Sequence, residues 1–190
     1  LENLTITNTS GDGLRINSDG SETTLKDTAI TGVANTGLRL LASSTLNLDN
    51  SHIDNNTQYA IVTAGSADGG EINLSNNSSL SGNGFSGIQT YRQITLNATD
   101  SQFNNNGQAG IRVSDVSDIT LTNCTVEGNT HDGVDYLTAG TALNSLTATG
   151  TTIDANTQAG IYVQDCAVKI TLNDCSVSGN LGGGNRAGIH

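Results

Sequence analysis

Apolar residues return along this chain at a long, nearly fixed interval and never at the spacing of a helix. A first set, Leu14, Leu38, Ile61, Ile88, Ile111, Val134, Ile161 and Ile189, is separated by 24, 23, 27, 23, 23, 27 and 28 residues, and glycine precedes every member except Ile61, where Ala60 stands. Eight residues upstream lies a second set, Ile6, Ile30, Ile53, Leu80, Phe103, Val126 and Ile153; only Val177, twelve upstream, breaks step. A third set, Leu25, Leu48, Leu74, Leu96, Leu121, Ala148 and Leu172, precedes the second by five to seven residues, usually closing an alternating pair such as Ile94-Thr95-Leu96. Alternation over so few residues, bounded by Asn, Gly, Ser and Asp, predicts a short strand.

Three strands per unit of about 25 residues make one coil of a solenoid. Stacked coils place equivalent strands side by side at about 4.8 Å, so eight of them form a column of roughly 38 Å. Parallel crossovers are overwhelmingly right-handed. The expected fold is therefore all-β: a right-handed parallel β-helix of about eight coils and three short parallel sheets, filling residues 1–190 as a single domain. Length varies mostly after the Gly-preceded strand, at 64–71 and 137–145, and both segments are expected to protrude as loops. Asn56, Asn83, Asn106, Asn129, Asn156 and Asn180 each follow the second apolar position by three residues. In stacked coils they would form a ladder of side-chain amides holding a buried bend, and asparagine tolerates the left-handed backbone such a bend requires.

Composition narrows the function classes. The chain has 23 Gly, no Pro, Met or Trp, 3% aromatic residues and a net charge of −11. So few large side chains argue against one globular core and for many thin layers. An acidic chain is a poor match for nucleic acid, and no apolar run reaches the roughly 18 residues of a membrane span. The chain starts at Leu1 and shows no signal-peptide pattern, which reads as a piece of a longer protein.

The pattern I-x-x-N-x-x-x-G-I-x-V, as in FNNNGQAGIRV and IDANTQAGIYV, resembles the repeats of the right-handed parallel β-helix superfamily of pectate-lyase-like proteins, over nearly the whole chain. That superfamily includes polysaccharide lyases, hydrolases, mannuronan epimerases, phage tailspikes and passenger domains of secreted bacterial adhesins. The resemblance implies an extracellular or cell-surface location and a polysaccharide or host glycan as partner, without a cofactor. It does not select an activity.

Candidate chemistry gathers on one strip. The position following each Gly-preceded residue reads Arg15, Arg39, Val62, Gln89, Arg112, Asp135, Tyr162 and His190, and its side chains are expected to point outward. A window from three residues before to four after each anchor holds all five Arg (15, 39, 92, 112 and 186), all four Tyr (59, 91, 136 and 162), His131 and His190. With five Asp it is neutral, while the rest of the chain carries −11. Guanidinium forks suit carboxylates and aromatic faces suit sugar rings, so Arg15, Arg39, Gln89, Tyr91, Arg92, Arg112, Asp135 and Tyr162 are the candidate contacts for an acidic glycan. Exposed strand positions also favour Arg and Tyr for solubility alone.

Catalysis is the less favoured alternative. As a lyase or C5-epimerase, the protein would use Arg112, His131, Asp135 and Tyr162 as cation, base and acid. Residues 130–133 read THDG, not the DPHD run of epimerases, and no calcium ladder or nonapeptide is evident. No metal site is expected. A spacer role is the third reading. Cys124 and Cys175 share a slot that elsewhere carries Thr28, Ser51, Ser78, Ser101 and Thr151; two rungs apart, they lie about 9.6 Å from each other, beyond disulfide reach. Cys166 falls in a different turn.

Overall fold

The computed structural model describes residues 1–115, 117–137, 143–182 and 188–190. Each coil runs through a short strand, a Gly-preceded strand and a longer strand, as in Ala29–Thr31, Leu38–Ala42 and Thr45–Asp49. All pairings between coils are parallel. Seven Gly-strands form one sheet: Leu14–Ile16, Leu38–Ala42, Ile61–Ser66, Ile88–Thr90, Ile111–Val113, Val134–Tyr136 and Ile161–Val163. Seven long strands, from Glu22–Lys26 to Ala167–Asn173, form a second. The third face has two three-stranded blocks joined by single bridges through Ser79 and Gln102. The solenoid therefore has seven full coils, with an eighth begun by Ser176–Ser178 and by the bridge from Ile161 to Ile189.

The core is a set of stacked columns. Ile30, Ile53, Leu80, Phe103, Val126 and Ile153 are fully buried, as are Leu38, Ile61, Ile88, Ile111, Val134 and Ile161. Apolar neighbours in successive rungs supply the packing that no single coil could supply alone. The recurring glycine is dictated by close approach: a Cβ on Gly110 would lie 2.6 Å from Val126 Cγ1 and 2.9 Å from the Gly133 carbonyl oxygen.

The asparagine ladder is present and continuous. Asn56, Asn83, Asn106, Asn129 and Asn156 each donate a side-chain N–H to the amide oxygen of the next, ending on Asn180, at 2.9–3.2 Å. The same oxygens accept the backbone N–H of the preceding ladder residue, as Asn106 Oδ1 does from Asn83 at 3.0 Å. The left-handed backbone lies one residue earlier than expected, in the column Gly32, Asn55, Gly82, Asn105, Gly128, Ala155 and Gly179. The ladder asparagines bond; their predecessors turn the chain.

A second left-handed column, Asn3, Asp27, Asn50, Asn77, Asp100, Asn123, Gly150 and Asp174, marks the opposite corner. The small-residue slot beside it is itself a hydrogen-bonding device. Ser51 Oγ donates to the Asp49 carbonyl at 3.0 Å and accepts the Thr28 N–H at 3.1 Å. Cys124 takes the same place, its Sγ donating to the Thr122 carbonyl at 3.3 Å, so the thiol substitutes for a hydroxyl. All three cysteines are free.

One of the two loop expectations changes. The 64–71 segment is mostly strand: Ile61–Ser66 absorbs an extra residue in a bulge against Leu40 and Ala42, Gly65 adopts a φ of 67°, and the next strand begins at Gly70. A bulge satisfies more backbone than a projecting loop does. Of 137–145, residues 138–142 lie outside the described residues, and a strand begins at Leu143. Among the described residues no helix is long and apolar enough to cross a membrane.

Candidate functional site

Register brings the outward positions of the Gly-strands into one column: Arg15 beside Arg39, then Val62, Gln89, Arg112, Asp135 and Tyr162. His190 follows, its ring stacked on Tyr162 at 5.6 Å and 4°. The grouping is as expected, but the exposure is not. Val62 and Gln89 are 2% exposed and Asp135 is 1%. Side chains from neighbouring rungs and flanking turns therefore cover much of this column, and the ligand-accessible part of the face is its margins.

Aromatic residues build those margins in the middle rungs. Tyr59 precedes its strand and Tyr91 follows the next one, which brings the two phenols near each other across neighbouring coils. Phe85 packs edge-on against Tyr59, with centroids 5.1 Å apart at 67°. Burial, reinforced by the neighbouring Tyr91 phenol, pushes the Tyr59 phenol up to about 12, while Arg112 and Arg39 lie close enough to oppose that shift. Phe85 and Tyr91 remain exposed. Gln89 Nε2 donates to Ser114 Oγ at 3.0 Å and to the Thr90 carbonyl at 3.1 Å, so Gln89 is tied to the protein and not presented to solvent.

The guanidiniums are held by the chain's own carboxylates. Asp12, its side chain 1% exposed, accepts from Arg15 Nε at 2.7 Å and Arg39 Nε at 2.9 Å. Burial raises the Asp12 pKa, but the bonds from both arginines and from the Thr36 N–H outweigh it and hold the carboxyl below its usual range. Arg112 Nε donates to Asp135 Oδ2 at 2.8 Å and its Nη1 to Gln108 Oε1 at 3.2 Å. Arg92 lies 3.7 Å from Asp68 at an exposed margin. Arg186 lies outside the described residues.

Of the four residues of the catalytic alternative, the structure joins Arg112 to Asp135. Tyr162 occupies the next rung and donates to Gln164 Oε1 at 3.2 Å. His131 stands half-buried on the margin, tied through its main chain to Gln108 and Gln158. Asp132 is buried and accepts the Ala159 N–H at 2.8 Å, the same service Asp12 gives Thr36. Tyr136, counted with the surface aromatics from sequence, points into the core, where its hydroxyl donates to the Ser145 carbonyl at 3.0 Å and burial raises its pKa. Among the described residues no group of His, Cys, Asp or Glu has the geometry to hold a metal ion.

Two members escaped sequence reasoning. Phe85 sits three residues before its anchor, a slot that otherwise reads Gly11, Asn35, Gln58, Gln108, His131, Gln158 and Arg186; one phenyl ring in a polar column was the signal. Asp12 stands three residues before Arg15, in the slot that Asp132 occupies five coils later.

The long-strand sheet supplies the contrast. Its outward columns hold Thr, Asn and a few charged residues, and Asn47, Asn73 and Asn97 bond in file at 3.0 Å. That face has no aromatic side chain. A family description, right handed beta helix region, matches residues 1–78 and 66–189. No curated protein and no solved structure matches the chain.

Proposed function

The chain belongs to the right-handed β-helix family, and on that footing we propose that the Gly-strand face binds a polysaccharide lying along the solenoid axis, on a protein displayed outside a bacterial cell in the manner of an adhesin passenger. The observation that carries this reading is the cluster of Tyr59, Phe85 and Tyr91 in the middle rungs, with Arg39 and Arg112 on its two sides. Exposed aromatic faces give sugar C–H groups an apolar surface, and phenol and guanidinium edges give hydroxyls and carboxylates their partners. The edge-on packing of Tyr59 and Phe85 also pre-organises the cluster, so little side-chain freedom is lost on binding.

Rigidity suits this role. In-register parallel strands and the amide ladder fix the spacing of successive contacts, so a long polymer can engage several rungs together. Arg112 and Asp135 serve here as a fixed pair in the face; Asp135 is buried under its ion pair, a poor position for a proton-transfer group.

The test is affinity electrophoresis of the purified chain in gels containing polysaccharides. Tyr91→Ala and Phe85→Ala are each expected to weaken binding about tenfold, the effect of removing roughly 1.4 kcal/mol at an anchoring contact. Thr147→Ala on the long-strand sheet is expected to leave it unchanged. Binding that survives both aromatic changes would refute the proposed face.

A further inference from the structure

We infer that Asn83 and Asn106 are latent sites of spontaneous modification. The folded solenoid holds them inert; once their rungs open, each loses its amide nitrogen as ammonia and becomes a residue that the ladder does not take back. The inference concerns the frame and not the ligand-binding face, so it stands or falls apart from the reading above.

The chain contains two Asn-Gly sequences, Asn83-Gly84 and Asn106-Gly107, and both fall on ladder positions in consecutive rungs. At the other ladder positions the next residue is Thr57, Thr130, Thr157 or Leu181. Glycine is required at the two exceptions by packing: a Cβ on Gly84 would collide with the Thr57 carbonyl oxygen, and one on Gly107 with the Gly84 carbonyl oxygen. Close stacking has therefore placed the most reactive asparagine sequence at the centre of the ladder, because a residue without a side chain lets its own nitrogen approach the preceding carboxamide.

Three features of the fold block that approach. The Gly84 N–H is given to the Asn56 carbonyl at 2.9 Å and the Gly107 N–H to the Asn83 carbonyl at 2.8 Å, so both attacking nitrogens are occupied. The carboxamides are held as well: Asn83 Oδ1 accepts from the Asn56 N–H at 3.0 Å while its Nδ2 donates to the Ile53 carbonyl at 3.1 Å, and Asn106 repeats this with Asn83 and Leu80 at 3.0 Å. Asn83 and Asn106 are also 1% and 0% exposed, which excludes the water that completes the reaction.

In an open chain the glycine nitrogen gives up its proton and attacks Cγ of the asparagine. The bond from Cγ to Nδ2 breaks, ammonia leaves, and a succinimide ring closes. Water then opens the ring at either carbonyl, giving aspartate or an isomer whose main chain runs through the former side chain. Aspartate has no N–H for the Ile53 or Leu80 carbonyl, and it would bury a charge against those oxygens. The isomer lengthens the main chain inside a rung whose packing leaves no room for it.

The test holds the purified chain at mildly alkaline pH in native buffer and, in parallel, in guanidinium, and maps tryptic peptides by mass spectrometry. The two sites lie in the peptides 40–92 and 93–112. Conversion in guanidinium is expected to be at least about a hundredfold faster than in native buffer, because core elements are open in a fraction on the order of 10⁻³ of molecules or fewer. Asn129 and Asn156, each followed by threonine, are expected to convert about tenfold more slowly in the same denatured sample, since a branched side chain hinders the approach that glycine permits. After guanidinium is removed, size-exclusion chromatography should find the converted chains concentrated in the fraction that fails to refold. Equal conversion in native and denatured samples, equal conversion at Asn129 and Asn156, or converted chains shared evenly between the two fractions would overturn the inference.

Discussion

Replacing Asn106 by alanine should cost the solenoid a large part of its stability. Asn106 Oδ1 accepts from the Asn83 backbone N–H at 3.0 Å and from Asn83 Nδ2 at 3.2 Å, and Asn106 Nδ2 donates to the Leu80 carbonyl at 3.0 Å and to Asn129 Oδ1 at 3.1 Å. Asn83 Nδ2 keeps the Ile53 and Ser81 carbonyls, and Asn129 Oδ1 keeps the Asn106 N–H, so neither is stranded. The Asn83 N–H and the Leu80 carbonyl are left buried without these partners. At about 1–3 kcal/mol for each orphaned group, the change costs roughly 2–6 kcal/mol, against about 5–15 kcal/mol for a typical domain. Guanidinium denaturation followed by circular dichroism measures it. Asn97→Ala is the control, since Asn97 makes comparable bonds to Glu71 and Asn73 on a half-exposed outer face where water can replace them; its cost should stay near 0.5 kcal/mol or about that. Asn106→Asp keeps both acceptors but points a buried carboxylate at two oxygens. It should be worse than alanine at neutral pH and recover as acid protonates it, because its folded-state pKa would be raised. A loss below about 1 kcal/mol for Asn106→Ala, with the denaturant slope unchanged, would refute the ladder's role.

Gly110→Ala should destabilise by roughly 1–3 kcal/mol in the same assay, because the added methyl meets Val126 and the Gly133 carbonyl inside a packed rung. Asp12 has a lowered folded-state pKa, so its contribution is full above its unfolded value of about 4 and is lost as pH falls through the folded value. Acid titration of stability should therefore flatten in Asp12→Asn. The Tyr59 phenol, pushed up to about 12, contributes fully below its unfolded value of about 10 and loses that contribution as pH rises towards 12. Alkaline unfolding of Tyr59→Phe should lack this component. Burial raises the Cys124 thiol and closes it off, whereas Cys166 and Cys175 are half-buried, so a thiol reagent should label two of the three cysteines in the native protein and the third only on unfolding.

The architecture was legible because every rung repeats the same instruction. A glycine forced by close contact, an apolar residue after it and an asparagine four residues before the glycine recur often enough that stacking them in register is the one arrangement consistent with all of them. Departures came where one rung differs from its neighbours. The additional residue near Gly65 reads as a loop from length alone, yet a bulge accommodates it because Leu40 and Ala42 in the adjacent coil offer hydrogen-bonding partners. The left-handed turn was assigned to the ladder asparagine because asparagine suits both jobs, and only backbone angles separate Asn55 from Asn56.

The site was legible as a column and illegible as a surface, for a physical reason. Strand periodicity states which side of a sheet a residue leaves from; it does not state what lies above that residue. Tyr59 and Tyr91 are on different coils, 32 positions apart, and only stacking brings them near each other and near Phe85. The charge reading changed for the same reason. Counting arginines gave a strip that is less acidic than its surroundings, but a guanidinium already bonded to a buried carboxylate has spent most of its field, so the count overstated what a ligand meets. What pairing leaves in the first two rungs is one guanidinium more than the single carboxylate, Asp12, that both arginines share, a detail that composition alone could not show.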